Sequence, residues 1–136
     1  MPIAKLALLS DYALLANDLK PSVLGIFSTI RVSRLPALHA SSYLTYQLEL
    51  RPEDAGQPVV VMIECFDPSG EPLFRVEGEG TLSASAGIEG EVEAWQVVKL
   101  PPFQVGTVGE HKVNLSINLE LVATLPLTVL LAAGQE

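Results

Sequence analysis

A turn set between two apolar runs constrains this chain most. Val59 to Phe66 is an apolar, β-branched run, and Leu73 to Glu79 runs back. Asp67-Pro68-Ser69-Gly70 lies between them. Pro68 pre-sets φ for the second position of a tight turn. Asp67 can bond the backbone two residues on, and Gly70 tolerates positive φ. The segment predicts a central β-hairpin onto which the other strands pack.

The flanking sequence extends the β reading. Ile3 to Leu9 reads as a strand broken by Ser10-Asp11, or as a short helix continuing to Ala16, with the strand favoured because the rest of the chain is β; Asn17 to Pro21 has the composition of a turn. Ser22 to Val32 suits a second strand, with Gly25 marking a bulge or a close backbone approach. Arg34 to His39 reads as a connection. Ser42 to Leu50 alternates, with Tyr43, Thr45, Gln47 and Glu49 on one face and Leu44, Tyr46, Leu48 and Leu50 on the other. That is the pattern of a half-buried antiparallel strand. Arg51 to Gln57 is a loop, and Gly78 to Gly90, rich in Gly, Ser and Ala, is expected to be the most mobile one.

Glu91 to Leu100 is a strand that Pro101-Pro102 ends. Val113 to Leu121 gives the cleanest period-two signal, and Leu125 to Leu131 is the last strand, with Pro126 favouring an edge. Gly134 to Glu136 should fray. About seven or eight short strands with no helix predict an all-β fold, an antiparallel β-sandwich, with a barrel as the other closure. Strand parity puts Leu48, Val61, Ile63, Cys65, Leu115, Ile117 and Leu119 in the core.

A length of 136 residues fits a single domain spanning 1–136. Eight basic and 16 acidic residues leave a net charge of −8, and there is no basic run. A phosphate backbone or an anionic membrane would meet a mainly repulsive field, so neither nucleic acid nor membrane is an expected partner. The single cysteine, Cys65, suits a reducing compartment. The early apolar run is interrupted at Asp11, unlike a secretory signal, and the default expectation is a soluble cytoplasmic protein.

Several segments together carry a resemblance. They are Leu6 to Leu15 with Asp11-Tyr12-Ala13, Ser22-Val23-Leu24-Gly25-Ile26-Phe27, Asp67-Pro68-Ser69-Gly70, Gly109-Glu110-His111-Lys112-Val113 and Leu125-Pro126-Leu127-Thr128-Val129. Their order and spacing resemble a family of small bacterial proteins with a domain of unknown function. The resemblance covers almost the whole chain and implies a single β-sandwich domain. It transfers no catalytic residue. It also implies a Gly-containing turn between the last two strands, where this chain has Glu120-Leu121-Val122-Ala123-Thr124.

Reactive groups are few. Cys65 shares parity with Val59, Val61 and Ile63, so it is expected to be a buried, inert thiol. His39 and His111 are expected to be exposed loop residues beside no nucleophile motif. No His or Cys pair has zinc spacing. Asp67, Ser69 and Glu71 fall short of a calcium loop. Glu77, Glu79, Glu89, Glu91 and Glu93 read as a solvated acidic rim. No catalytic residue, metal site or cofactor is expected, and the chain is not expected to be an enzyme.

Tyr43, on a polar strand face, and Trp95, near an acidic strand start, are the candidate ligand or partner contacts. Two functions fit: a non-catalytic protein-interaction or structural module, and a small-ligand or carbohydrate-binding sandwich. Hydrophobic residues make up 49% and mean hydropathy is +0.36. Several strands are apolar on both faces with no helix to cover them. A homo-oligomer, a dimer first, is therefore expected, and a further protein partner fits the same surplus.

Overall fold

The computed structural model describes residues 3–17, 20–50, 57–81, 85–86 and 92–132. Its regular structure is all β. In chain order the strands are β1 (Ile3–Leu15), β2 (Pro21–Phe27), β3 (Thr29–Val32), β4 (Ala37–His39), β5 (Ser42–Leu50), β6 (Pro58–Phe66), β7 (Pro72–Thr81), β8 (Ser85–Ala86), β9 (Val92–Leu100), β10 (Phe103–Val105), β11 (Gly109–Ile117) and β12 (Glu120–Leu131). One five-stranded sheet has the order β2-β1-β5-β9-β8, a second has β3-β12-β11-β6-β7, and β10 pairs with β4 in a small third sheet. Among the described residues no helix is long and apolar enough to cross a membrane.

More strands form than the seven or eight expected, and the sheets are not purely antiparallel. The expected strand from Ser22 to Val32 divides at Ser28. Its first half pairs with β1, and its second half joins the other sheet, where β3 runs parallel to β12. The Thr128 amide donates to Ser28 O at 2.9 Å and fixes this corner. Arg34 to His39 is only partly a connection, since Ala37 to His39 pairs with Phe103 to Val105.

Ser10-Asp11 does not break β1. Ser10 is buried and lies opposite both Ile26 and Tyr43, and pairing with β2 carries β1 on to Leu15. Gly25 is a close approach, as expected. Its φ is +71°, and a Cβ there would lie 2.5 Å from Asp11 Oδ2.

The β6–β7 hairpin forms where the sequence places it. The Gly70 amide donates to Asp67 O at 2.9 Å, and Asp67 Oδ1 accepts from the Ser69 and Glu71 amides at 2.9 and 3.0 Å. It is not central, however. β7 is an edge strand, and β11 holds the middle of that sheet. β5 is covered on both faces, because Thr45 is as buried as Leu44, Tyr46 and Leu48. The first sheet curls to do this: β1 and β2 both reach β9, although β5 separates them in hydrogen-bonding order.

One core draws on all three sheets and includes Leu44, Tyr46, Leu48, Ile63, Val105 and Leu115. Cys65 and Ile117 belong to it as parity requires, and Val61 packs against it half-buried. Leu119 is a correction. It is 82% exposed, because Asn118 and Leu119 form a two-residue turn with φ of 51° and 70°. The turn between the last two strands is therefore Asn118-Leu119, and Glu120 to Thr124 lies within β12. Asn tolerates the left-handed region and stands in for glycine. The expected Gly78–Gly90 loop is partly strand: Gly78 to Thr81 continues β7 opposite Val61 to Pro58, and Ser85–Ala86 is β8, because the β6 ladder extends past Glu77. Residues 51–56, 82–84, 87–91 and 133–136 lie outside the described residues.

Candidate functional site

Cys65 is fully buried, and desolvation, with Asp67 nearby, pushes its thiol up to about 12. Neither histidine is an exposed loop residue. His39 ends β4 half-buried between the rings of Phe27 and Phe103, at 5.5 and 5.4 Å. Burial lowers its pKa, and the Asp11 carboxylate acts against that. His111 sits on β11 and is fully buried, with Nδ1 3.1 Å from Gly109 O. Both strands pack these rings inward because their inward positions belong to the core. Nε2 of each ring is buried without a hydrogen-bond partner.

Asp67 is held below its ordinary pKa by hydrogen bonds from Ser69 and the Glu71 backbone. Its turn role accounts for its oxygens. Glu77 pairs with Arg75 at 3.3 Å. Glu89 and Glu91, and the side chain of Glu93, lie outside the described residues. Among the described residues no three His, Cys, Asp or Glu side chains come together as a metal set.

The structure separates the two aromatic candidates. Trp95 lines an apolar cleft of about 360 Å³ with Leu15, Val61, Val76, Glu79 and Gln96. Gln96 is already engaged, since Oε1 accepts from the Tyr46 hydroxyl. Tyr43 does not line it. Its ring meets Tyr12 edge-on at 5.3 Å.

That contact borders an apolar face which single-strand parity does not reveal. Tyr12 lies opposite Leu24 across the β1–β2 ladder, Ile26 lies opposite Ser10, and Leu14 follows Tyr12 by two residues. The pleat puts Tyr12, Leu14, Leu24 and Ile26 on one face. Leu24 and Ile26 are 66% and 65% exposed, and Tyr12 and Leu14 are exposed too.

A second feature depends on the corner at Ser28. β2 pairs with β1 only from Leu9 onward, and β3 pairs with β12 only from Thr128 onward. Between these points, β1 from Ala4 to Leu8 is paired with β5, and β12 from Ala123 to Pro126 is paired with β11. These two stretches, with Ile26, Phe27 and Ser28, line an open groove of about 500 Å³. Pro126 was expected to mark an edge strand, but β12 lies between β3 and β11, with β3 pairing only from Thr128 onward.

The model of a family described as a family of unknown function, DUF6941, matches residues 5–130. No curated protein shows significant similarity to the sequence. Among solved structures, the chain is similar to the Pseudomonas fluorescens alkylpurine DNA glycosylase AlkC bound to DNA containing an abasic site analog. The TM-score is 0.39 at 16% identity, over 75% of this chain and 27% of that one. The chain thus spans a minor part of that protein, and a likeness at this level carries no argument about activity.

Proposed function

We propose, from the premise that the chain belongs to the family of unknown function DUF6941, that it is a non-catalytic β-sandwich module for protein interaction. The observation that carries this is the exposed apolar face of Tyr12, Leu14, Leu24 and Ile26. Four such side chains adjacent on one sheet face hold water against apolar surface, and association relieves that. A second copy is the simplest cover, giving a two-fold dimer. The net charge of −8 leaves nucleic acid and anionic membrane outside the proposal, and the setting proposed is the cytoplasm.

Light scattering behind size exclusion tests it. A mass of twice 14.6 kDa is expected at micromolar concentration, falling to 14.6 kDa in the Leu24→Asp/Ile26→Asp variant. A parent that runs at 14.6 kDa overturns the dimer.

The cleft at Trp95 supports a second reading, a small-ligand or carbohydrate-binding sandwich. Its volume falls within the range of ligand pockets, and one aromatic with two polar groups is a common lining. Quenching of the single tryptophan's fluorescence by a panel of neutral sugars would favour this reading, and an unchanged spectrum across the panel would remove it.

A further inference from the structure

We propose, resting on the reading of the Trp95 cleft as a ligand site, that the cleft holds one alkyl chain of about ten carbons with an uncharged head, taken up as a free small amphiphile. The cleft follows from the inward positions of β7. Phe74, Val76, Gly78 and Gly80 lie opposite Cys65, Ile63, Val61 and Val59 of β6, the row that packs on the core. Side-chain volume shrinks along β7 to nothing at the two glycines. A Cβ built on either one meets no atom within 4 Å. Val61 consequently stays half-buried at a core position. Neither glycine has a positive φ, so no turn requires glycine there. What the pair provides is room.

The room opens between the two sheets. Among the described residues β7 pairs only with β6, and β9 from Ala94 onward pairs only with β5. Residues 95–98 of β9 form the second wall, and Leu15 of β1 adds to it.

Dimensions select the occupant. From Val76 to Gly80 at strand rise, the cleft is about 13 Å long. Dividing its 360 Å³ by that length leaves a mean cross-section of about 28 Å². A peptide strand between sheets takes about 45–50 Å², the product of strand and sheet spacings. A slimmer chain is needed. An extended chain advances about 1.1–1.2 Å per bond, so about ten carbons span the length.

The lining sets the polarity. Val59, Val61, Ile63 and Val76 carry no polar side-chain atom, and Gln96 Oε1 already accepts from the Tyr46 hydroxyl. The hydroxyls of a sugar would be buried here short of partners. Glu79 is the one charged residue among the described lining, so a carboxylate head meets no cation. Glu79 lies opposite Val60, which puts its side chain on the outer face of β7 with Arg75 and Glu77, away from a buried ammonium. A hydroxyl or amide head instead bonds to the N–H and C=O groups on the open edges of β7 and β9.

Titration of the full chain with 1-decanol, read by emission of the single tryptophan, tests this. Emission should shift to the blue and saturate. Across hexanol, octanol and decanol, affinity should rise roughly fourfold per methylene. Decanoate at pH 8 and decyltrimethylammonium should each bind at least tenfold more weakly than decanol. Gly78→Val/Gly80→Val should abolish the shift. Open space, ordinary φ and the strand preference of valine should leave that variant melting no lower than the parent. The chain-length series on the parent keeps the test valid if the variant folds poorly.

No shift with any alcohol, equal affinity across chain lengths, decanoate binding as tightly as decanol, or undiminished binding by a folded double-valine variant would each overturn the proposal. Flotation of the protein with phosphatidylcholine vesicles would place the alkyl chain in a membrane and overturn the free amphiphile. Quenching by neutral sugars with no response to decanol overturns the alkyl occupant and leaves the ligand cleft standing, whereas response to neither removes both.

Discussion

Asn118 holds Val60 at both of its backbone groups. The Asn118 amide donates to Val60 O, and Asn118 Oδ1 accepts from the Val60 amide, each at 2.8 Å. One turn residue thereby pins the β11–β12 hairpin to the neighbouring strand β6. Asn118→Gly keeps the turn conformation and loses the bond to the Val60 amide, at a cost of about 0.5–1.5 kcal/mol. Asn118→Ala loses the same bond and adds left-handed strain of about 1–2 kcal/mol. Urea titration should rank Ala as the more destabilising change, and the reverse order would refute the turn assignment.

Leu119 and Ile117 are two residues apart and should respond oppositely. Ile117 is 2% exposed, so Ile117→Ala should cost about 2–5 kcal/mol. Leu119 has φ of 70° and projects into solvent. Leu119→Gly should stabilise by about 0.5–1 kcal/mol, the relief of strain exceeding the entropy that glycine adds to the unfolded chain. A loss above 1 kcal/mol for Leu119→Gly in the same titration would count against the exposed tip.

The contrast shows where sequence pattern stops. Alternation from Val113 to Leu121 runs straight through the turn, because Asn118 and Leu119 happen to continue the apolar-polar order. The usual Asn-Gly marker is absent, with leucine in glycine's place, so nothing local announces the reversal. The β6–β7 turn was legible because Asp67, Pro68 and Gly70 act within four residues. Core membership of Leu48, Ile63, Cys65, Leu115 and Ile117 followed from parity alone. Trp95 could be picked out by type, but its cleft needed β7 and β9 brought together from distant sequence. The groove was illegible, since it exists only because one strand changes sheets at Ser28 and pairs in parallel with β12. His111 shares parity with Val113, Leu115 and Ile117, so carrying that strand back to Gly109 was enough to turn its ring inward; the misplacement came from reading it as a loop residue.

Gly25 and Asp11 form a second coupled pair. A Cβ on Gly25 would meet Asp11 Oδ2 at 2.5 Å, Cγ at 3.0 Å and Cβ at 3.1 Å, at a φ of +71°. Gly25→Ala should therefore cost about 1–3 kcal/mol from strain and crowding together. Adding Asp11→Gly should recover the crowding and leave the strain. Thermal melts that show no recovery in the double variant would place the whole cost in the backbone.

Cys65 should be silent in the native protein. Its thiol, pushed up to about 12 by desolvation, carries almost no thiolate at pH 8. Alkylation with iodoacetamide, followed by intact mass, should be negligible over an hour in buffer and complete in 8 M urea. Rapid native labelling would mean that β6 opens readily to solvent.

His39 should make stability fall as the solution is acidified from neutral. Burial between Phe27 and Phe103 is the larger influence on its pKa and lowers it from 6.5, and Asp11 opposes this without cancelling it. The unfolded chain, with an ordinary histidine, therefore takes up its proton first as pH drops. Through that window the unfolded state binds more protons, so stability rises with pH and is lost as pH falls from about 6.5 towards the folded value. The Asp67 carboxylate, also lowered, acts in the same direction but begins near its ordinary 3.8, well below this window. His39→Leu keeps an apolar side chain between the two rings and removes the titration. The difference in urea midpoint between parent and His39→Leu should change between pH 7.5 and pH 5.5, with the parent losing ground at the lower pH. A difference constant across that range would show that His39 is protonated as readily in the fold as in the open chain.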